Sequence, residues 1–453
     1  MFNLEIFKAY DIRGIYPDDF EEDFAYRLGR AFADFVREKQ RDLTKPLEIV
    51  INKDDRRSSE SLYHSLRSGL LDAGCYVISA GFSTSPMHYY TVNKTGADGG
   101  IMVTASHNPS KYNGFKLSLH EAMPVGRGTG MDEIKNLIFK KNYSDKPSKI
   151  GTVIEKDFLA DYVDFLTKGV TIGKIRIAVD AGNGMIGMVM NEIIKKYPQV
   201  ELIPLYFERD FTFPNHEANP LKEETLEDLK KVVVEKKADL GVAFDGDGDR
   251  AFVLTHEGKV VMPELVGALL AKEYLAKDPG AKIVVDPRES RILADVAKES
   301  GGEVIVSRVG HAFFKRILKE GGAIFGAEAS GHFYFKDFFG VDSGMFMMMR
   351  VLEMLTQRGK TLQELIAPFE GRRFHSGEIN FETEKKDEKV RLVEETFKHL
   401  AISRIDGITV DDKDWWMNVR ASNTEPYLRL NIEANSKELL REKVRQLVDL
   451  LSD

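Results

Sequence analysis

The sequence predicts an α/β protein of three similar α/β/α domains with mixed, mainly parallel sheets, plus a C-terminal α+β domain, all around one central cleft. Strands and helices alternate in three successive units, which indicates parallel pairing through right-handed crossovers. After Pro368, consecutive strands with segregated helices replace that alternation. A chain of 453 residues is too long for a single core, and we expect domains at residues 1–150, 151–254, 255–368 and 369–453.

The first unit ends its third predicted strand at a serine. Its predicted elements are the strand Leu47 to Ile51, the helix Ser58 to Asp72, and the strands Tyr76 to Ser79 and Gly100 to Val103. The turn Thr104 to Pro109 follows, because proline cannot continue a β-ladder and restricts the residue before it. Ser106 therefore lies at the carboxyl end of a strand, where open α/β sheets place reacting groups. The alternative is a serine turn that only closes the strand.

The second and third units repeat this order. The second has strands Ile175 to Val179, Val200 to Tyr206 and Leu240 to Phe244, with helices Met188 to Tyr197 and Leu226 to Lys237. The third has strands Ile283 to Val285, Val304 to Val306 and Ala323 to Phe325, with helices Arg291 to Ser300 and Ala312 to Glu320. The first strand of each unit runs into an acid, namely Asp54, Asp180 and Asp286.

Each third strand also ends in an unusually polar loop. If the three units are equivalent, these loops face one cleft: Thr104 to Pro109, Asp245 to Arg250 and Glu328 to His332. Ordinary α/β alternation without such equivalence is the alternative.

The last part of the chain has a different order of predicted strands and helices. We predict strands at Glu378 to Phe381, Ile405 to Asp411, Trp416 to Arg420 and Tyr427 to Glu433, and helices at Lys385 to Ala401 and Ser436 to Ser452. The most unusual loop here runs from Arg420 to Pro426, and on its own it favours a hairpin turn.

Composition excludes several classes of protein. The net charge is −8, from 64 basic and 72 acidic residues, so we expect no binding to nucleic acid or to an anionic membrane. The single cysteine, Cys75, excludes internal disulfides and a thiolate-rich zinc site. The N-terminus carries an acid where a signal peptide carries bases, and charges interrupt the most apolar stretch, Met345 to Leu355. We therefore expect a cytoplasmic protein.

The loop Asp245 to Arg250 is the most specific motif. Its three aspartates alternate with glycines that can adopt positive φ, so the carboxylates can converge on one hard cation. A calcium EF-hand loop does not fit, because its sixth position is Arg250 and its twelfth is His256. Three oxygen ligands that leave room for water and phosphate are typical of Mg²⁺ in phosphoryl transfer. A solvated acidic turn is the alternative.

A second glycine pattern competes with this interpretation. Gly182 to Gly187 matches the dinucleotide fingerprint after a predicted strand, with Glu208 further on. These glycines serve equally well as a tight turn that packs a helix on its strand, and we favour that function because the motif does not lie on a third-strand loop. Two other common motifs are absent: the sequence contains neither the G-x-S-x-G nucleophile elbow of α/β-hydrolases nor a phosphate-binding P-loop.

Taken together, these motifs resemble the α-D-phosphohexomutase family over essentially the whole chain. The matching segments are Lys8 to Gly14, Thr104 to Pro109, Asp245 to Arg250, Gly326 to His332 and Arg420 to Pro426. The Glu-Ala-Ser-Gly-His and Arg-Ala-Ser-Asn-Thr forms look most like phosphomannomutase/phosphoglucomutase enzymes. Phosphoglucosamine mutases usually carry Glu-Gln-Ser-Gly-His and a Ser-Gly-Thr loop.

The resemblance implies a role for each polar loop. Ser106 would be the phosphoserine, and one Mg²⁺ would bind Asp245, Asp247 and Asp249 together with Ser106. Sugar hydroxyls would contact Glu328, Ser330 and His332. The phosphate that is not reacting would contact Arg420, Ser422, Asn423, Thr424 and Arg429.

Further residues match family positions near the reacting groups. Tyr10 would contact substrate, Arg13 and Lys116 would stabilise the transferring charge, and one of Lys116 or His107 would take the attacking hydroxyl's proton. Arg250 and His311 match further catalytic positions. Arg288 stands where many relatives carry lysine, and because arginine keeps its proton it can orient a substrate but is a poor acid.

The resemblance implies reversible transfer of a phosphoryl group between the 1- and 6-positions of mannose or glucose phosphates, through hexose 1,6-bisphosphate. The implied partners are small hexose phosphates, and the implied assembly is a monomer or homodimer. Three alternatives stay open: a phosphoglucosamine mutase, a serine-dependent metal phosphatase, and an oxidoreductase built on Gly182 to Gly187.

Overall fold

Four β-sheets, each formed by a successive part of the chain, make the framework. The computed structural model describes residues 3–39, 45–141, 143–144, 147, 150–421 and 427–452. We call the parts built on the four sheets the first to fourth units.

The first unit has a seven-stranded sheet in the order β1-β5-β4-β2-β3-β7, with β6 paired to β5. Its strands are β1 Ile12–Ile15, β2 Glu48–Lys53, β3 Tyr76–Phe82, β4 Gly99–Val103, β5 Tyr112–Leu119, β6 Met123–Pro124 and β7 Thr152–Glu155. Its helices are α1 Glu22–Lys39, α2 Ser59–Asp72, α3 Ser85–Thr95 and α4 Met131–Lys140, with 3₁₀ turns at Leu4–Ile6 and His120–Ala122. All five residues of β4 are buried, as expected of a central strand covered by helices on both faces.

The second unit has a five-stranded sheet in the order β12-β11-β10-β8-β9. Its strands are β8 Ile175–Asp180, β9 Val200–Leu205, β10 Leu240–Phe244, β11 Ala251–Thr255 and β12 Val260–Val261. Its helices are α5 Leu159–Thr167, α6 Ile186–Lys196 and α7 Glu227–Glu235, with a 3₁₀ turn at Glu223–Leu226.

The third unit also has a five-stranded sheet, in the order β14-β13-β15-β16-β17. Its strands are β13 Lys282–Val285, β14 Glu303–Val306, β15 Ala323–Ala327, β16 Phe333–Phe335 and β17 Val341–Asp342. Its helices are α8 Pro263–Lys277, α9 Ile292–Glu299, α10 His311–Glu320, α11 Gly344–Arg358 and α12 Leu362–Ile366, with a 3₁₀ turn at Lys336–Phe338.

The fourth unit has a six-stranded antiparallel sheet in the order β18-β23-β22-β21-β20, with β19 paired to β23. Its strands are β18 Phe374–His375, β19 Ile379–Glu382, β20 Ala401–Ser403, β21 Ile408–Asp411, β22 Trp415–Ala421 and β23 Tyr427–Ala434. Its helices are α13 Lys386–Thr396 and α14 Lys437–Ser452. The predicted helix Lys385 to Ala401 was too long, because Phe397 is buried against Trp415 and the chain beyond it pairs with β21.

The first three sheets share one pattern, which confirms the predicted fold class. In each, the first strand lies between the second and third as their parallel neighbour, and an antiparallel strand follows the third: β3-β2-β4-β5, β9-β8-β10-β11 and β14-β13-β15-β16. The antiparallel strands β5, β11 and β16 were not predicted from the sequence. Each polar loop is therefore the turn of a β-hairpin at the same edge of its sheet.

The acid at the end of each first strand makes the same turn in all three units. The carboxylate Oδ1 accepts the N–H two residues later, at 3.1 Å from Asp54 to Arg56, 2.8 Å from Asp180 to Gly182 and 2.8 Å from Asp286 to Arg288. This Asx turn redirects the chain from the strand into the following segment. The three units are thus alike in a local detail as well as in topology.

One apolar cluster runs through the first three units. It joins Met87 of α3, Val189 of α6 and Met347 of α11, whereas the fourth unit has its own cluster around Trp415 and Leu447. The contacts between the third and fourth units include several polar pairs. The Arg291 guanidinium lies 2.6 Å from Asp411, and Glu433 accepts the Arg291 N–H at 3.0 Å.

Among the described residues, we find no helix that combines the length and the apolar character needed to cross a membrane.

Candidate active site

Ser106 lies in the hairpin turn between β4 and β5 in a backbone conformation that few side chains adopt. Its φ is 51°, and its side chain is buried. Its N–H donates to Thr104 Oγ1 at 3.0 Å. Its Oγ donates to Asp245 Oδ2 at 2.7 Å and lies 3.2 Å from His107 Nδ1. The turn therefore presents the hydroxyl to the aspartate loop of the second unit.

The loop after β10 brings three buried carboxylates together. Ligand atoms of Asp245, Asp247 and Asp249 all lie within 4.8 Å of one another. Asp245 Oδ1 accepts the N–H groups of Gly248 and Arg250, at 3.0 and 3.2 Å, which fixes the loop around its first acid. Gly248 has a φ of 74°, the conformation that the glycine spacing allows.

This carboxylate set fits a hard divalent cation such as Mg²⁺. Within the part of the chain that the structure describes, the buried Asp247 Oδ1 has no hydrogen-bond partner, and the polar neighbour of Asp249 Oδ1 is His332 Nε2 at 3.4 Å. Buried carboxylate oxygens without donors are costly, and a cation bound by oxygen ligands satisfies them. Burial, together with Asp249 and Asp247, raises the pKa of Asp245 well above its usual value.

Lys116 of β5 inserts its ammonium group into the same set. Its Nζ lies 2.6 Å from Asp247 Oδ2 and 2.6 Å from Asp249 Oδ2. Burial opposes the charge of Lys116, but the two carboxylates outweigh it and raise the lysine's pKa well above its usual value. The first unit thus supplies both the serine and a cation to the acidic loop of the second.

The loop after β15 holds the predicted sugar-binding residues. Glu328 Oε1 accepts the Gly310 N–H at 3.1 Å, and Oε2 accepts the Tyr334 hydroxyl. Ser330 Oγ lies 2.8 Å from His332 Nδ1. The Glu328 carboxylate is therefore oriented by its own unit.

His332 joins the sugar loop to the aspartate loop. Its Nε2 lies 3.4 Å from Asp249 Oδ1 and 3.4 Å from Arg250 Nε, and a backbone bridge pairs Arg250 with His332. His311 lies beside it, with the two ring centres 6.2 Å apart. Burial lowers the pKa of His311 well below its usual value, so this imidazole is neutral.

Tyr10 connects the first unit to the third. Its hydroxyl donates to Val309 O at 2.5 Å, and burial, aided by Glu328, raises its pKa to about 12. Gly310 has a φ of 124°, and a Cβ there would lie 2.3 Å from the Tyr10 hydroxyl. Arg13 donates to Asp11 and to the Asn108 side chain, each at 2.5 Å, so it touches the serine turn directly.

Two predicted phosphate ligands of the fourth unit flank one acid. Arg420 Nη2 lies 3.3 Å and Arg429 Nη1 3.4 Å from Glu378. Burial, followed by the charge of Arg288, lowers the pKa of Arg420. Ser422, Asn423 and Thr424 lie outside the described residues.

Arg288 of the third unit is paired with Asp286. Two of its nitrogens, Nε and Nη2, donate to the carboxylate. Burial opposes the charge, but Asp286 outweighs it and raises the pKa of Arg288. Arg288 therefore stays cationic next to the sugar loop.

Several residues that shape the site were not predicted from the sequence. Ser85 at the start of α3 donates its hydroxyl to Asp247, and the Tyr334 hydroxyl bonds Glu328. Arg56 is buried under the serine turn. One signal was present: Asp54-x-Arg56 and Asp286-x-Arg288 occupy equivalent positions in the first and third units.

The competing glycine motif has a packing role in this structure. A Cβ on Gly184 would lie 2.5 Å from Gly246 O, and one on Gly187 would lie 2.3 Å from Phe207 O. These glycines let the turn after β8 approach the aspartate loop and the segment after β9.

Comparisons with known proteins match the whole chain. Models of the phosphoglucomutase/phosphomannomutase family match in order: alpha/beta/alpha domain I at residues 4–145, domain II at 160–258, domain III at 263–370 and the C-terminal domain at 378–450. The phosphomannomutase of Vibrio cholerae is 39% identical over 468 residues, covering 100% of this chain and 99% of its own. The phosphomannomutase of Escherichia coli K12 is 38% identical over 464 residues, covering 100% of both.

A crystal structure gives the same result. A phosphoglucomutase/phosphomannomutase family protein from Burkholderia thailandensis superposes with a TM-score of 0.89 at 32% identity, covering 99% of this chain and 98% of that one. Full-length similarity at this level extends to all three loops of the site. The chain therefore belongs to the phosphoglucomutase/phosphomannomutase family and is an isomerase of the phosphohexomutase type.

Proposed function

We propose that this enzyme moves a phosphoryl group reversibly between O1 and O6 of mannose and glucose phosphates. A phosphoserine at Ser106 would carry the group, and hexose 1,6-bisphosphate would be the intermediate. The observation that supports this most is the 2.7 Å contact between Ser106 Oγ and Asp245 in the buried carboxylate loop. The similarity to phosphomannomutases favours mannose phosphate as one substrate.

In the first half of the reaction, the free hydroxyl of a hexose monophosphate attacks the phosphorus of phosphoserine 106. The new O–P bond forms as the bond from Ser106 Oγ to phosphorus breaks, and the hydroxyl gives up its proton. We assign this proton to His107, whose Nδ1 lies 3.2 Å from Ser106 Oγ and can pass it to that oxygen as it leaves. Lys116, the other candidate, is held as an ammonium by Asp247 and Asp249 and has no electron pair with which to accept a proton. Arg13 and Arg250 would stabilise the transferring charge. The second half reverses these steps on the other phosphate.

Asp245, Asp247 and Asp249, with an oxygen of phosphoserine 106, would hold one Mg²⁺ per chain. When bound, the ion supplies charge neutralisation to the transferring phosphoryl oxygens. Lys116 contacts two of the same carboxylates and adds a second positive charge at the reacting end of the cleft.

The third and fourth units would bind the rest of the substrate. Glu328, Ser330 and His332 would receive sugar hydroxyls, with Arg288 and His311 beside them, and Arg420 and Arg429 would hold the phosphate that is not reacting. The bisphosphate must turn end for end so that each phosphate reaches Ser106. A fourth unit with its own core can move as a body while the intermediate turns.

A coupled assay tests this proposal. Purified enzyme with Mg²⁺ and the matching bisphosphate would be given mannose 1-phosphate, glucose 1-phosphate or glucosamine 1-phosphate. We expect turnover of the first two and dependence on bisphosphate. Preference for the amino sugar would indicate a phosphoglucosamine mutase, and steady release of inorganic phosphate without bisphosphate would indicate a phosphatase. Binding of NADH, followed by fluorescence, would support an oxidoreductase instead.

A further inference from the structure

Arg56 lies beneath the serine turn with every one of its donors in use. Its side chain is inaccessible to solvent, in the segment between β2 and α2. Its Nε donates to Asp54 Oδ2 at 3.2 Å. The four remaining N–H groups reach the carbonyl oxygens of Pro109 and Tyr112 at 3.0 Å and of Ser106 and Asn108 at 2.8 Å. A guanidinium has five donors, so this one is saturated.

These carbonyls belong to the turn that presents the nucleophile. Ser106 has a φ of 51°. This backbone conformation is unfavourable for a residue other than glycine, so the surrounding structure must hold it in place. One Arg56 nitrogen holds the Ser106 and Asn108 carbonyls, and the other holds the Pro109 and Tyr112 carbonyls. The guanidinium thus links the first part of the turn, at Ser106 and Asn108, to its second part, at Pro109 and Tyr112.

The arginine is itself fixed from two sides. Asp54 Oδ1 accepts the Arg56 N–H at 3.1 Å and the Ser59 hydroxyl at 2.5 Å. From the second unit, Phe211 and Phe213 cover the guanidinium, with ring centres 5.3 and 5.6 Å from its carbon. Water is therefore kept from a group that directs four of its five donors to one turn.

We propose that Arg56 is a positioning residue for phosphoryl transfer, which holds the turn 104–112 so that Ser106 Oγ faces Asp245. This rests on the proposed function of Ser106. Arg56 does not touch substrate, since its five donors are used by Asp54 and the turn. Its effect should appear in the transfer step, while substrate recognition by the third and fourth units is unchanged.

Arg56→Lys tests the proposal, because lysine keeps the charge but offers three donors on a single atom. Three quantities would be measured: kcat and KM in the coupled assay, the rate at which glucose 1,6-bisphosphate phosphorylates Ser106 by intact mass, and amide hydrogen exchange of residues 104–112. We expect kcat and the phosphorylation rate to fall about 10²-fold, the scale of a misplaced reacting group, with KM within about threefold. Exchange in the turn should accelerate.

The matched control is Arg30→Lys. Arg30 is another buried arginine of the first unit, on α1, and it donates to Ser144 O at 2.6 Å, away from the serine turn. We expect this variant to keep wild-type kcat and exchange. Equal losses in both variants would overturn the proposal, as would Arg56→Lys with unchanged kcat or with only KM raised.

Asp54→Asn provides a second test that leaves the four carbonyl contacts available. It removes the negative charge that fixes the guanidinium, so we expect kcat to fall, but by less than in Arg56→Lys. Unchanged kcat together with unchanged hydrogen exchange of the turn would count against the proposal. Hydrogen exchange also separates the two hypotheses. If wild-type Ser106 is never phosphorylated, the proposed function fails, whereas faster exchange of the turn in Arg56→Lys would still support its anchoring.

Discussion

Ser106 Oγ lies 2.7 Å from Asp245 Oδ2, although 139 residues separate them in the chain. Ser106 lies in the turn that follows β4 of the first sheet, and Asp245 directly follows β10 of the second. The contact exists because the two units place equivalent loops at one cleft. It is also the contact on which the proposed reaction depends most directly.

We expect Ser106→Ala to lower turnover of hexose phosphate by at least about 10³-fold, because the phosphoryl carrier is removed. Ser110→Ala is the matched control, since Ser110 lies in the same turn with an exposed side chain. Coupled assays and thermal melting of both variants provide the measurement. Substantial activity in Ser106→Ala, with an unchanged melting temperature, would remove Ser106 from the reaction.

Lys116→Met should make the protein unusually dependent on Mg²⁺. Removing the ammonium leaves Asp247 and Asp249 buried without their cation, and breaking such a pair costs about 3–5 kcal/mol. We expect a lower melting temperature in EDTA and a larger rise on adding Mg²⁺ than in wild type. Lys94→Met, at an exposed position of α3, controls for loss of a surface charge. An equal response of Lys116→Met and wild type to Mg²⁺ would contradict a shared site.

Glu264 provides a prediction of stability against pH. Burial, with Glu433 and Asp286 nearby, raises its pKa from an ordinary value of 4.5 to about 7. Between these two values the folded protein holds a proton that the unfolded chain has released. This group's contribution to stability is therefore complete below pH 4.5 and is lost as the pH rises through 7.

Glu264→Gln removes this cost, which reaches about 3 kcal/mol once the carboxyl is ionised in both states. We expect the variant to melt higher than wild type at about pH 8, and the difference to shrink as the pH falls towards 4.5. Glu257→Gln, at an exposed position, should show no such trend. Thermal melts across this range would refute the assignment if the two variants behaved alike.

Arg420→Ala should act mainly on KM. The side chain is mostly buried beside Glu378. In the proposed site it binds the phosphate that does not react. A hydrogen bond to a charged group contributes about 1.5–3 kcal/mol, so we expect KM to rise about tenfold or more with a smaller change in kcat. Arg404→Ala, at an exposed position of the same unit, is the control. A fall in kcat with unchanged KM would place Arg420 at the reacting phosphate instead.

The sequence predicted the site best where residues are adjacent in the chain. Asp245 to Asp249 sit within one loop, so their spacing alone indicated convergent ligands, whereas the sugar-binding role of Glu328 to His332 came from the family resemblance. The equivalence of the loops followed from the repeated order of strands.

The contacts that the sequence did not predict join residues far apart in the chain. Lys116 meets two aspartates of another unit, and Ser85 bonds Asp247 across 162 residues. Such pairings depend on how the units pack, and local patterns carry no signal for that. Arg56 was different: its signal was the Asp-x-Arg pattern, visible only by comparing the first unit with the third.

The apolar cluster shared by three units has a consequence for how this chain is made. It draws on residues from Val50 to Phe369, so no one of these units covers all of its apolar surface alone. During synthesis, part of the apolar surface of the early units therefore stays exposed on the nascent chain until Phe369 has emerged from the ribosome. We expect truncations that end before this point to bind chaperones or aggregate, while removal of the fourth unit, with its separate cluster, is tolerated better.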